Sequence, residues 1–234
     1  VYKRQMLVLA IAMLIGAASQ PDKDLKQDAL MLLAATTFVV LSVVMGEFPV
    51  WLGVLSISSM GGYYAYIFRT RGGDDSDEED SWIPRGYAYA LVAFLFGLIL
   101  VKFGSDLLIE GGVGLAISIG VSEAVIGLTL VAFGTSLPEL AVTITASIRG
   151  VQGVAIGNIL GSNVANVMAV LGIGAIVAQG LSVSGSFLTL DIWVLLVSSG
   201  IIGVSILLGK GVSKPLGAFL LLGYFVYIAQ LFIG

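Results

Sequence analysis

Long apolar stretches alternate with short polar connections along almost the whole chain. Most of them approach the roughly 20 apolar residues that a helix needs to cross the hydrocarbon core of a bilayer. The pattern therefore predicts a bundle of membrane-spanning helices. The predicted spans are Met6–Ala18, Ala29–Met45, Val50–Phe68, Gly86–Phe103, Ala124–Ile148, Val151–Ala178, Phe187–Leu208 and Leu216–Gly234.

The composition agrees with this prediction and excludes several classes of protein. Of the 234 residues, 58% are hydrophobic and only 11% are charged, whereas soluble domains carry about 25% charged residues. The absence of Cys and His excludes disulfide scaffolds, thiolate zinc sites and His-dependent catalytic triads. A net charge of −4 with scattered basic residues offers no surface for nucleic acid. We therefore expect a multi-pass protein of the lipid bilayer that is not an enzyme and has no cofactor.

One hydrophilic segment, residues 69–85, divides the chain and contains the acidic run Asp74–Asp80. Consecutive acids lack the spaced ligands and central Gly of an EF-hand, so we interpret this segment as a solvated hinge. Threading the spans up and down places most Lys and Arg residues on the same side as the hinge, which is then cytoplasmic. Asp106 and Glu110 are expected on the external side, after the fourth span.

Two parts of the chain resemble each other at an offset of 163 residues, with one insertion. The aligned positions include Asp28 with Asp191, Gly53 with Gly217, and Tyr63 with Tyr227. Residues 86–234 would form a complete unit of five spans, and residues 1–68 the remainder of a first copy. An odd number of spans inverts the second copy, as in many secondary transporters, and predicts about ten spans with the first two to three helices missing. The two aspartates are expected near helix starts, where an acid complements the helix dipole.

The segment Gly134–Glu139 (GTSLPE) interrupts the fifth predicted span. Pro138 lacks an N–H group and clashes with the preceding turn, so a helix break is expected there. Thr135 and Ser136 are suited to cap a new half-helix that has Pro138 in its first turn.

The break also creates candidate ligands for a cation. It frees backbone carbonyl groups, for example those of Ala132 and Thr135. Glu139 adds a carboxylate near the middle of the span, which costs at least about 2.5 kcal/mol and which a bound cation would offset. The alternative is a kinked helix in which Glu139 reaches water or stays protonated.

A second polar stretch, Gly157–Asn166 (GNILGSNVAN), lies in the next span. Its two glycines form a GxxxG pattern, which is typical of close helix packing. Ser162 and Asn166 are four residues apart and share one helix face. Their neutral oxygens could complete a shell around a hard cation such as Ca²⁺ or Na⁺ held by Glu139.

Together, Gly134–Glu139 and Gly157–Asn163 resemble the second α-repeat of the cation/calcium exchanger superfamily, and most closely its prokaryotic sodium/calcium exchangers. The resemblance implies an all-α, inverted-repeat fold of ten helices with a shared Ca²⁺ and Na⁺ site. The first repeat's matching Glu motif is absent from this chain, and position 166 is Asn where the K⁺-dependent branch has an acid. The implied ligands are the carbonyls of Ala132 and Thr135 and the side chains of Ser136, Glu139, Ser162 and Asn166.

The resemblance favours a secondary antiporter that exchanges Ca²⁺ for Na⁺ by alternating access, as a monomer in a prokaryotic inner membrane. A Ca²⁺/H⁺ exchanger is the nearest alternative, because Glu139 can titrate. The proton-coupled branch, however, typically shows a Gly-Asn-Ala-x-Glu motif where this chain has GTSLPE. A non-transporting membrane scaffold is a third hypothesis, although a scaffold would not need a Glu beside a helix break.

Overall fold

The structure, a computed structural model, describes residues 2–15, 21–71, 87–118, 120, 134, 136–183 and 191–233. It contains two compact units. The larger unit comprises Val1–Tyr66 and Ala141–Gly234, and the smaller unit comprises Ile67–Leu140. The predicted hinge at residues 69–85 lies largely outside the described residues.

The described elements are almost entirely helical, as the sequence predicts. The helix α4 belongs to the smaller unit, whereas α3 and α5 extend from one unit into the other. In chain order the elements are α1 (Tyr2–Ile15), α2 (Lys23–Met45), β1 (Glu47–Phe48), α3 (Val50–Arg71), α4 (Tyr87–Ser118), α5 (Leu137–Ile148), α6 (Gln152–Ala165), a π-helical turn (Asn166–Leu171), α7 (Gly172–Val177), β2 (Leu181–Ser182), α8 (Asp191–Leu207) and α9 (Lys214–Ile233).

Three helical segments among the described residues are long and apolar enough to cross a membrane. They are Lys23–Met45, Leu91–Leu115 and Gln152–Val177, the last of which runs from α6 through the π-helical turn into α7. Shorter apolar helices occur at Met6–Ile15, Leu137–Ile148, Asp191–Leu207 and Lys214–Tyr227. Because these shorter helices do not by themselves have the length of a membrane span, the predicted number of eight spans remains a prediction.

The start of α2 differs from the sequence prediction. The side chain of Asp22 caps the helix by accepting a hydrogen bond of 2.6 Å from the N–H of Leu25, and Asp24 lies in the first turn. Asp28 therefore lies in the second turn, and the prediction that it complements the helix dipole is wrong. Asp191 does lie in the first turn of α8.

The end of α4 also differs from the prediction. The sequence predicts a span that ends at Phe103, but α4 continues to Ser118 and has 32 residues. No proline interrupts this stretch, and Lys102 and Asp106 form an (i, i+4) ion pair of 2.5 Å, which supports a helix. Asp106 and Glu110 therefore lie within the helix and not in a loop that follows it.

Glycines allow two pairs of helices in the larger unit to approach closely. A Cβ atom on Gly53 of α3 would lie 2.7 Å from the carbonyl oxygen of Gly172. A Cβ atom on Gly217 of α9 would lie 2.7 Å from the Cβ atom of Met13 in α1. Non-bonded atoms repel at that separation, so only glycine fits at either crossing. The two glycines are a pair that the sequence repeat aligns.

Two hydrogen bonds between consecutive helices also follow the repeat. The hydroxyl of Tyr63 on α3 donates to Oδ1 of Asp28 on α2. The hydroxyl of Tyr227 on α9 donates to Oδ1 of Asp191 on α8 over 2.7 Å. The four residues are two pairs that the sequence repeat aligns, so the same contact between the same kinds of residue occurs in both aligned segments.

Removing either phenol hydroxyl is expected to destabilise the protein by a similar amount. Tyr63→Phe and Tyr227→Phe should each cost about 1 kcal/mol, the range of interhelical hydrogen bonds in membrane proteins. For a protein of this size that lowers the melting temperature by about 2–4 °C. Thermal unfolding in detergent measures the effect, with Tyr64→Phe, at a largely exposed ring, as the matched control. A loss confined to one of the two tyrosines would contradict the equivalence of the contacts.

Candidate functional site

The helix start predicted around Pro138 is confirmed. The helix α5 begins at Leu137, with Glu139 in its first turn. The N–H of Leu140 donates to the carbonyl oxygen of Ser136 over 3.0 Å, the first bond of the new helix. Pro138 occupies the first turn, where backbone N–H groups have no acceptor within the helix, so its missing N–H costs no hydrogen bond.

Glu139 lies where a negative charge is favoured. The first turn of a helix carries the positive end of the helix dipole, which stabilises a carboxylate. The carboxyl oxygen Oε2 of Glu139 is shielded from solvent, and Ser136, one turn earlier, is 7% exposed. Ala132 and Thr135, whose carbonyls the resemblance implies as ligands, lie outside the described residues.

The close approach of α4 explains the glycine that precedes this helix. A Cβ atom on Gly134 would overlap the Cγ1 atom of Ile109 on α4, within the smaller unit. A larger residue at position 134 would therefore displace α4 or the start of α5. Gly134 is predicted from the sequence as part of a helix break, and in the structure it also lies at a close contact with α4.

The polar side chains of α6 and of the first residue of the π-helical turn divide into two groups. Ser162 and Asn166 lie one turn apart and are both half-buried. Asn163 is buried and donates from Nδ2 to the carbonyl oxygen of Ile159 in its own helix over 2.6 Å. Ser162 and Asn166 are thus the pair that shares the face predicted to bind a cation.

A hydrogen bond in the larger unit connects α5 with α6. Nδ2 of Asn158 on α6 donates to Oγ1 of Thr143 on α5 over 3.1 Å, and Thr143 is fully buried. Thr143 follows Glu139 by one helical turn, and Asn158 precedes Ser162 by one turn. Thr143 is not among the residues predicted from the sequence, although its spacing of four residues from Glu139 places both on one face of α5.

Among the described residues, the two glycines of the GxxxG pattern make no close helix contact. A Cβ atom on Gly161 would meet no atom within 4 Å in the part of the chain that the structure describes. A Cβ atom on Gly157 would lie 3.7 Å from Oδ2 of Asp28, an ordinary contact distance. Closer glycine contacts lie at other positions, for example at Gly53 and Gly217.

The candidate cation ligands that the structure describes are carboxylate, hydroxyl and amide side chains. Ser136 and Glu139 lie within one turn at the start of α5, and Ser162 at the end of α6 lies one turn before Asn166, the first residue of the π-helical turn. Within the described ranges no group of three or more acidic side chains could hold a metal ion. The first pair lies in the smaller unit and the second in the larger unit, and each consists of side-chain oxygens of the kind that Ca²⁺ and Na⁺ prefer.

Comparison with known protein families shows which family the chain belongs to. Residues 89–233 match the sodium/calcium exchanger protein family. The chain belongs to this family. The match begins in α4 and ends in α9, and it covers most of residues 86–234, the predicted second copy. The family consists of transporters, which agrees with the prediction that the protein is not an enzyme.

Individual relatives agree with this membership. The sodium/calcium exchanger MaX1 of Methanosarcina acetivorans is 50% identical over 84 residues, which are 36% of this chain and 24% of MaX1. The membrane protein MJ0091 of Methanocaldococcus jannaschii is 33% identical over 172 residues, which are 73% of this chain and 55% of MJ0091.

The fold of this exchanger-family protein is also similar to a solved structure. A structure of the sodium-calcium exchanger NCX_Mj, soaked without Na⁺ and Ca²⁺, superimposes with a TM-score of 0.76 and 29% sequence identity. The superposition covers 98% of this chain and 73% of NCX_Mj. The fold prediction of a helical exchanger is therefore confirmed. The chain spans about half the length of the curated relatives it matches.

Proposed function

We propose that the protein acts as a secondary antiporter that exchanges Ca²⁺ for Na⁺ across a membrane by alternating access. The observation that carries the proposal is the position of Glu139, a carboxylate in the first turn of a half-helix in an exchanger-family protein. MaX1 and NCX_Mj, which the chain resembles, are named sodium/calcium exchangers.

The proposed ligands bind either one Ca²⁺ or several Na⁺ in turn. Glu139 supplies the charge, and neutral oxygens supply the rest of the shell, so the site can exchange a divalent ion for monovalent ones. The residues are the carbonyls of Ala132 and Thr135 and the side chains of Ser136, Glu139, Ser162 and Asn166.

Alternating access is supported by the contacts that occur twice. Each Tyr–Asp hydrogen bond lies within one proposed copy, and each glycine crossing connects the two proposed copies through a glycine that the sequence repeat aligns. Two copies with opposite orientation can exchange their conformations, which opens one site to each side of the membrane in turn. We propose residues 1–68 as part of the first copy and residues 86–234 as the second, in a protein that works as a monomer in a prokaryotic inner membrane.

Transport into vesicles tests the proposal. The full-length protein is reconstituted, and Ca²⁺ uptake is compared under an outward Na⁺ gradient and under an outward H⁺ gradient, with protein-free vesicles as the control. We expect uptake that depends on the Na⁺ gradient alone. Uptake driven by H⁺ would indicate a Ca²⁺/H⁺ exchanger instead. No uptake under either gradient would favour a non-transporting scaffold.

A further inference from the structure

The π-helical turn Asn166–Leu171 begins at a proposed cation ligand. A π-helical turn contains one more residue than an α-helical turn and is often found at functional sites. Because an α-helix rotates by about 100° per residue, the extra residue changes the direction of Gly172 relative to Asn166 by about that angle. Because Gly172 is packed against α3, the extra residue of the turn determines the direction of the Asn166 side chain.

The π-helical turn removes the usual partner of one backbone carbonyl. In an α-helix the N–H of Gly172 would donate to the carbonyl oxygen of Met168, but here it donates to Ala169. Oγ of Ser56 on α3 lies 3.1 Å from the carbonyl oxygen of Met168 and 2.8 Å from that of Gly53. The single hydroxyl hydrogen is shared between the two carbonyls, as in other three-centre hydrogen bonds. Ser56 and Met168 are both fully buried.

The surroundings of Ser56 hold its hydroxyl in place. A Cβ atom on Gly172 would lie 2.7 Å from Oγ of Ser56 and 2.9 Å from Cγ1 of Ile57, so the two backbones pack directly. The strands β1 and β2, which flank these helices, pair Glu47 with Ser182. Contacts with α3 at Gly172 and the pairing of β2 with β1, which directly precedes α3, therefore hold the two ends of the segment from the π-helical turn to β2.

The other glycine crossing provides an internal comparison. Gly217 of α9 packs on Ala10 and Met13 of α1 as Gly53 packs on Gly172 and Ala175. The residue three positions after Gly53 is Ser56, whereas the residue three positions after Gly217 is the buried Leu220. The helix α1 is α-helical from Tyr2 to Ile15. The π-helical turn thus occurs at the crossing that has the hydroxyl, and an α-helix occurs at the crossing that lacks it.

We propose that Ser56 is a positioning residue of the cation site, because its hydroxyl holds the π-helical turn at Met168 and so orients Asn166. The inference rests on the proposed function and adds a residue from α3, outside both sequence motifs. Loss of the hydroxyl leaves the carbonyl of Met168 without this donor, and the turn then relaxes toward an α-helix that rotates Asn166.

Ca²⁺ binding to the full-length protein tests the inference. Ser56→Ala is expected to weaken the apparent Ca²⁺ affinity about fivefold, the effect of losing one hydrogen bond. Ser59→Ala is the matched control, because Ser59 on the same helix donates to the carbonyl of Leu55 in its own turn, over 2.8 Å. Ser56→Cys keeps a weak hydrogen-bond donor and should therefore show an intermediate Ca²⁺ affinity. If Ser56→Ala does not fold, the comparison is made with Ser56→Cys.

A double-mutant cycle separates positioning from general stability. Asn166→Ala removes one neutral ligand and keeps Glu139, so binding stays measurable. In that background Ser56→Ala should change the affinity by less than about twofold, because its effect acts through Asn166. An equal effect in both backgrounds, or an unchanged affinity in Ser56→Ala alone, would overturn the inference and leave the proposed function intact. Absence of Ca²⁺ binding in the unmodified protein would instead refute the proposed function.

Discussion

Replacing Glu139 with Gln is expected to abolish Ca²⁺ exchange. The substitution keeps the shape of the side chain and removes its charge. Two unit charges about 4 Å apart attract each other by about 4 kcal/mol at an effective dielectric constant of 20, and Ca²⁺ carries twice that charge. The cost of removing the two ions from water offsets much of this attraction, so we expect Ca²⁺ affinity to fall by about two orders of magnitude or more. Calorimetric Ca²⁺ binding and vesicle uptake measure the loss.

The matched control for this prediction is Glu47→Gln. Glu47 is exposed in β1 and pairs through its backbone with Ser182, so the same chemical change should leave transport unaltered. Folding of both variants is checked by their elution as a single peak from size-exclusion chromatography. A well-folded Glu139→Gln protein that still transports Ca²⁺ at the original rate would show that Glu139 is not the ligand.

Replacing Gly53 with Ala is expected to destabilise the larger unit by about 1–3 kcal/mol, as overpacking of a well-packed core does. The added Cβ atom would lie 2.7 Å from the carbonyl oxygen of Gly172 and 3.2 Å from the Cβ atom of Ala175. Neither atom is the end of a flexible side chain, so the helices themselves must separate. The melting temperature in detergent should fall by several degrees, at about 2–4 °C per kcal/mol for a chain of this length.

Gly61→Ala provides the control on the same helix. A Cβ atom at Gly61 would meet no described atom within 4 Å. Alanine also has the higher helix propensity, so this variant should be neutral or more stable by about 0.5–1 kcal/mol. Equal melting temperatures for Gly53→Ala and Gly61→Ala would contradict the close approach of α3 and α7.

The sequence was sufficient where the determining forces are local. Apolar stretches long enough for a membrane appear directly in the order of residues, because each helix satisfies its own backbone hydrogen bonds in lipid. Pro138 marks the start of α5 for the same reason, since the missing N–H acts on its own helix. The motifs at Glu139 and at Ser162 with Asn166 indicated the family before any contact between helices was known.

Tertiary structure decided the features that depend on distant residues. Asp28, predicted to complement a helix dipole, instead accepts a hydrogen bond from Tyr63, 35 residues further along the chain. Ser56 and Met168, which meet at the π-helical turn, are 112 residues apart. Helical periodicity describes one segment at a time and contains no information about which backbone carbonyl a hydroxyl on another helix will reach. That pairing exists only once α3 packs against the helix that carries Asn166.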